Sequence, residues 1–240
     1  MFHFVRLLIS KVRIWQLLVV AAIALFFASI YLISTGVVYR ELGFYYLEEG
    51  KNTKAIDWLE CAKARNPKDD LNLWLLGIAY GKIYRWDKAK TAFEKAVILD
   101  PASSSLHYNL GVALMELGQF KDAILQYNEA IRVDPNFSDA YYNLGLCYVG
   151  LERYRDSVDS FRQAVSIAPK DADAQYNLGV AYSDAKLHDL ALKQYDILRM
   201  LDKEYARKLY SIIREQESPL NNDEGNRYNN QRSLGMRPRG

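Results

Sequence analysis

Apolar residues recur along this chain in two ways. From Ile14 to Thr35 they run nearly unbroken, IWQLLVVAAIALFFASIYLIST, with Gln16 the only strongly polar residue and no charged side chain as far as Tyr39. About 20 such residues cross the hydrocarbon core as a helix, because in lipid every backbone N–H and C=O must be satisfied within its own segment. The run therefore predicts a transmembrane helix over residues 14–35. It exceeds the usual secretory apolar core of about 7–15 residues and no clear small-residue cleavage site follows, so it reads as an uncleaved signal anchor, with a cleaved signal peptide as the alternative. From residue 36 onward, apolar and small residues come back in spaced groups with a fixed period. YNLG stands at Tyr108–Gly111, Tyr142–Gly145 and Tyr176–Gly179, each copy 34 residues after the last.

Aligned on these copies, five contiguous blocks emerge: 36–69, 70–103, 104–137, 138–171 and 172–205. Each has Leu-Gly at its seventh and eighth places, such as Leu76-Gly77 and Leu144-Gly145. An aromatic or Leu follows at eleven (Tyr80, Leu114, Tyr148), an aromatic or His at seventeen (Trp86, Phe120, Tyr154, His188) and a small residue at twenty (Ala89, Ala123, Ser157). Phe93, Tyr127, Phe161 and Tyr195 hold place twenty-four, and Pro67, Pro101, Pro135 and Pro169 hold place thirty-two. Period and pattern resemble the tetratricopeptide repeat, a pair of antiparallel helices. The resemblance implies an all-α fold, a right-handed solenoid of five helix-turn-helix repeats. Small residues at places eight and twenty allow close helix contact, and proline lacks the N–H needed to continue a helix. Lys203 replaces proline in the last block, so the fifth unit is expected to run on into Tyr205–Gln216. A capping helix over 206–217 would then cover the end of the stack with Ala206, Leu209, Ile212 and Ile213. Residues 218–240, rich in Asn, Gly, Pro and Arg, have too little apolar surface to order themselves.

Charge adds a direction to the predicted anchor. Arg6, Lys11 and Arg13 give residues 1–13 a basic tail without an acid, whereas Arg40, Glu41, Glu48 and Glu49 beyond the span are mixed in sign. The positive-inside rule then places the N-terminus in the cytoplasm and the repeats on the far side, which in a bacterium is the periplasmic face of the inner membrane. Trp15 and Tyr39 stand where interfacial aromatics belong. The repeats themselves carry 21 Lys/Arg against 25 Asp/Glu, which argues against nucleic acid as the partner, since phosphate binding needs clustered cations.

No chemistry of catalysis is legible. His3, His107 and His188 have no i,i+4 partner to suggest a metal site, and acidic pairs such as Asp69–Asp70 fall at helix starts, where caps and helix dipoles explain them. No cofactor is implied, and the expectation is a protein that is not an enzyme. Cys61 and Cys147 lie three units apart, too far for a disulfide.

The family resemblance also implies a concave groove lined by the first helices at places two, five, six, nine and twelve or thirteen. Place five holds Trp74, Tyr108, Tyr142 and Tyr176 after Arg40; place nine holds Ile78, Val112, Leu146 and Val180 after Phe44. Asn109, Asn143 and Asn177 occupy place six. An amide can pair with both groups of a peptide bond, so this row resembles the asparagine ladder of O-linked N-acetylglucosamine transferases. The other reading is a polar row kept for solubility or a local hydrogen bond. The carboxylate clamp of tetratricopeptide co-chaperones is absent, because Phe44 holds the place of its first asparagine, while Asp139 and Asp173 would repel an acidic tail. The expected function is a membrane-anchored scaffold or adaptor that docks protein or peptide partners during assembly of a larger complex. The alternative is a tethered client receptor or co-chaperone similar to mitochondrial import receptors.

Overall fold

A helix of 12 to 15 residues with one apolar face is marginal by itself, and its stability comes from the neighbour it packs on. The computed structural model describes residues 22, 23, 25–32 and 34–217 and shows this neighbour-on-neighbour logic within each of two units. The predicted basic tail 1–13, the first part of the predicted span and the tail 218–240 lie outside the described residues.

The helices fall into two units, residues 1–85 and 86–240. The first contains α1 (Val37–Glu48), α2 (Asn52–Arg65) and α3 (Asp70–Lys82). Here α2 packs against both α1 and α3. Leu59 is fully buried under Gly43, where a Cβ would come within 2.5 Å of its side chain. Residues 25–32 precede α1 as helix, with Leu25, Phe26, Phe27 and Tyr31 exposed. Among the described residues no single helix is long and apolar enough to cross a membrane; Leu25–Leu32 and Val37–Glu48 meet that test only as a pair bent by 66°.

The second unit contains α4 (Trp86–Leu99), α5 (Ser104–Glu116), α6 (Phe120–Val133), α7 (Ser138–Gly150), α8 (Tyr154–Ile167), α9 (Ala172–Asp184), α10 (His188–Leu201) and α11 (Lys203–Glu217). Each helix packs on the next, and α11 also packs on α9. Tyr127 and Phe161 are wholly buried against the glycines of their own repeats, since a Cβ at Gly111 or Gly145 would stand 2.7 Å from these rings. Burying such a ring contributes about 1.5–3 kcal/mol, so one ring per repeat is a large share of the local stability.

The end of the stack differs from expectation. Helix α10 stops at Leu201, the same place in its repeat as Arg65, Leu99, Val133 and Ile167, although no proline follows. Asp202 is extended (φ −147°, ψ 109°) and its Oδ1 accepts from the backbone N–H groups of Glu204 and Tyr205, capping α11. The fifth unit therefore does not run on; a new helix begins at Lys203, three residues before the predicted start at 206. Its Leu209 fills the space over Gly179 that a ring fills in the two preceding repeats, while Tyr195 is pushed outward to lie on Tyr210 at 5.1 Å.

Every turn between paired helices has a residue of positive φ at the fifteenth place: Gly50 (70°), Tyr84 (59°), Gly118 (72°), Glu152 (58°) and Lys186 (63°). The left-handed residue lets the following N–H reach back to the helix, as Gln119 does to the Leu114 carbonyl at 2.9 Å and Arg153 to Tyr148 at 2.8 Å. Glycine adopts this conformation freely, whereas a Cβ costs about 1–2 kcal/mol. Glu152→Gly and Lys186→Gly are therefore expected to raise the melting temperature, and Gly118→Ala to lower it. Calorimetric melting of the three variants checks the opposite signs.

Candidate functional site

The face predicted to line the groove is built from one side of α5, α7 and α9, and packing uses most of it up. Tyr108, Tyr142 and Tyr176 are buried, as are Val112, Leu146 and Val180. Asn143 is 0% exposed and Asn177 2%, whereas Asn109 is half-buried. Eight of the expected groove residues thus do not face an open surface.

A tyrosine–asparagine relay explains the burial. The Asn143 amide donates to the Tyr108 hydroxyl at 3.1 Å, and the Asn177 amide donates to the Tyr142 hydroxyl at 2.8 Å. Each bond joins place five of one repeat to place six of the next. Asn177 also donates to the Asp173 carbonyl at 3.0 Å. Asn109 turns to its own helix and donates to the Ser105 carbonyl at 2.7 Å. The asparagine row is therefore corrected from three groove rungs to two buried inter-repeat bonds and one accessible amide.

Place five has a second structural partner 29 residues later. Tyr108 packs on Phe137 and Tyr176 stacks on Tyr205, each with ring centroids 4.8 Å apart. In the first unit the same spacing joins Arg40 to Asp69 in a 2.8 Å ion pair. Trp74 and Ile78, also in the first unit, are only partly buried. Place five is thus a locking position between neighbours, which the repeat register alone does not reveal.

Polar groups remain accessible at the two rims of the α5–α7–α9 face. Ser105, Asp139 and Asp173 stand at the helix starts, and Glu116 and Asp184 at the ends. Burial pushes the carboxyls of Glu116 and Asp184 above their usual range. Asp184 accepts from the Gln216 amide at 3.0 Å, and Asp173 accepts from the Tyr205 hydroxyl, so α11 closes the end of this face. The surface offers an acidic margin with one accessible amide, that of Asn109. An open cleft of about 440 Å³ lies elsewhere, beside Tyr141, Asp159 and Arg162, and contains none of the predicted groove residues.

Of the remaining reactive side chains, His107 has a clear structural role. His107 lies between the Gln126 amide oxygen (2.8 Å) and the Pro101 carbonyl (3.1 Å), tying α5 to its neighbours. Among the described residues no group of His, Cys, Asp or Glu is arranged to hold a metal ion. Cys61 is exposed; Cys147 is buried and its thiol is pushed up to about 12 by burial.

Comparison with known proteins matches this architecture. Models of the tetratricopeptide repeat match residues 72–103, 92–125, 113–151 and 138–171. The chain is similar to the crystal structure of MamA protein, at 26% identity and TM-score 0.67, over 72% of this chain and 94% of that one. It is also similar to MamA 41-end from Desulfovibrio magneticus RS-1 (24% identity, TM-score 0.64, 77% and 98% covered). A third similar structure is YrrB, described as a TPR protein with an unusual peptide-binding site (22% identity, TM-score 0.66, 74% and 93% covered). The last two likenesses show the fold alone. A comparison with curated proteins found no match.

Two outcomes follow from the geometry. Asn143→Ala and Asn177→Ala each remove a buried hydrogen bond and are expected to cost about 1–3 kcal/mol, whereas Asn109→Ala stays within about 0.5 kcal/mol. Urea unfolding of the three single variants measures the difference. A disulfide-exchange reagent is expected to titrate one thiol in the native chain, Cys61, and both thiols after denaturation.

Proposed function

We propose that this tetratricopeptide-repeat chain is a membrane-anchored scaffold, a binding protein and not an enzyme, which docks other proteins on the first-helix face of its repeats. The observation that carries the anchoring is the helix of residues 25–32, whose Leu25, Phe26, Phe27 and Tyr31 are 63–69% exposed. These belong to the uncharged run 14–35, and in water so much contiguous apolar surface is unfavourable; a bilayer buries it. The charge bias of residues 1–13 favours a cytoplasmic N-terminus with the repeats on the opposite side, the periplasmic one in a bacterium.

The docking face supports a particular class of partner. Asp139, Asp173, Glu116 and Asp184 border it, and like charges at these margins repel an acidic segment. A neutral to basic segment suits the face, with Asn109 as the accessible amide for its backbone. YrrB, as a peptide-binding repeat protein of the same fold, is a precedent for such use and no more than that. Assembly of a membrane-associated complex is the role that an anchored binding face serves most directly.

Full-length chain is expected to stay with membranes through an alkaline carbonate wash, and a chain starting at Val37 to leave them. External protease on spheroplasts is expected to digest the repeats; full protection overturns the orientation. From detergent-solubilised membranes, a Glu116→Lys/Asp139→Lys variant is expected to lose its co-purifying partner while keeping its helical melt. Undiminished co-purification removes this face as the docking site.

A further inference from the structure

The point where the apolar helix leaves the first unit carries an aromatic and cationic cluster that the groove does not use. Gly36 caps α1 with φ 83° and sits against the last turn of α2: a Cβ there would stand 2.9 Å from the Ala62 carbonyl oxygen and 3.2 Å from Arg65 Cβ. The chain must therefore exit over the end of α2. At that exit the Arg65 guanidinium lies 3.8 Å over the Tyr39 ring, and its Nη2 donates to the Tyr39 hydroxyl at 2.9 Å. Tyr39 in turn packs on Trp58, with centroids 5.9 Å apart. Arg65 is exposed, and among the described residues no carboxylate forms an ion pair with it.

The bend sets how the first unit meets a surface perpendicular to the apolar helix. With 66° between the two axes and a rise of about 1.5 Å per residue, α1 climbs only about 0.6 Å per residue along the axis of the apolar helix. Phe44, eight residues past Gly36, has gained about 5 Å by this arithmetic. Helix α1 is thus inclined by 24° (90° − 66°) to that surface, and its exposed Val38, Phe44 and Tyr45 stay within about 6 Å of the level of the exit. Tryptophan and tyrosine favour the membrane–water boundary, and a cation there gains from anionic headgroups.

We propose that the first repeat lies on the bilayer, with Tyr39, Trp58 and Arg65 at headgroup depth and Arg65 contacting lipid phosphate. The proposal rests on the membrane-anchored reading. It makes the first repeat part of the membrane attachment and leaves the second unit to present the protein-docking face.

Cys61 is a native probe of this patch, because Trp58, Cys61 and Arg65 follow one another on one face of α2 at spacings of three and four. Full-length chain labelled there with a small environment-sensitive fluorophore is reconstituted in vesicles, Cys147 being buried and unreactive. Lipids spin-labelled at the headgroup are expected to lower the emission at least twofold. The loss is expected to be larger with anionic than with neutral vesicles, and Arg65→Gln is expected to abolish that excess. Chain that floats with vesicles yet is not quenched overturns the headgroup patch and leaves the anchor standing. Chain that does not float overturns the anchor and the patch together. An anionic excess that persists in Arg65→Gln removes Arg65 as the phosphate contact.

Discussion

The close approach of paired helices at Gly43, Gly111 and Gly145, the eighth place of their repeats, underlies the packing within each unit. A side chain at Gly43, Gly111 or Gly145 would collide with Leu59, Tyr127 or Phe161, so the absence of a Cβ is what allows those residues to be buried completely. Burial of that ring or leucine holds the two helices of a repeat at a fixed distance. Fixed pairs then present a constant surface to the next repeat, and only on such a surface can a tyrosine hydroxyl meet the amide of an asparagine 35 residues later. The last repeat obeys the same constraint with a different part: Leu209 of α11 occupies the space over Gly179.

That constraint also decides what the molecule can offer a partner. The amide N–H groups of Asn143 and Asn177, which look available in a repeat pattern, are used to join neighbours, because a buried donor left unpaired costs more than a hydrogen bond gains. Asn143, Asn177 and the tyrosines at place five belong to the interior. The accessible chemistry moves to the margins, to Asn109 and the carboxylates of Glu116, Asp139, Asp173 and Asp184.

The N-terminal part follows a different logic. The residues around Gly36 combine a left-handed cap, a 66° bend and an aromatic–arginine cluster, none of which the repeat requires. A plain repeat start needs only a helix cap. In the membrane-anchored reading proposed above, these features stand where the chain passes from lipid to water, since Trp and Tyr rings tolerate both.

Much of this was legible in the chain itself. A 34-residue period with Leu-Gly, aromatics and small residues at set places determines the helix pairs and the core, because each of those residue types answers a local packing demand that recurs unchanged. The uncharged run 14–35 is read from composition alone. Other features depended on neighbours that no repeat register names. The positive φ at Tyr84, Glu152 and Lys186 was hidden by side chains that disfavour it, and the stop at Asp202 occurred without the expected proline because a carboxylate cap served instead. Above all, a helix face can be read from spacing, but which face is covered depends on the partner lying on it. Only the tertiary structure, by setting Tyr108 against Asn143 and Tyr142 against Asn177, decided that these residues join the repeats together and do not line a groove.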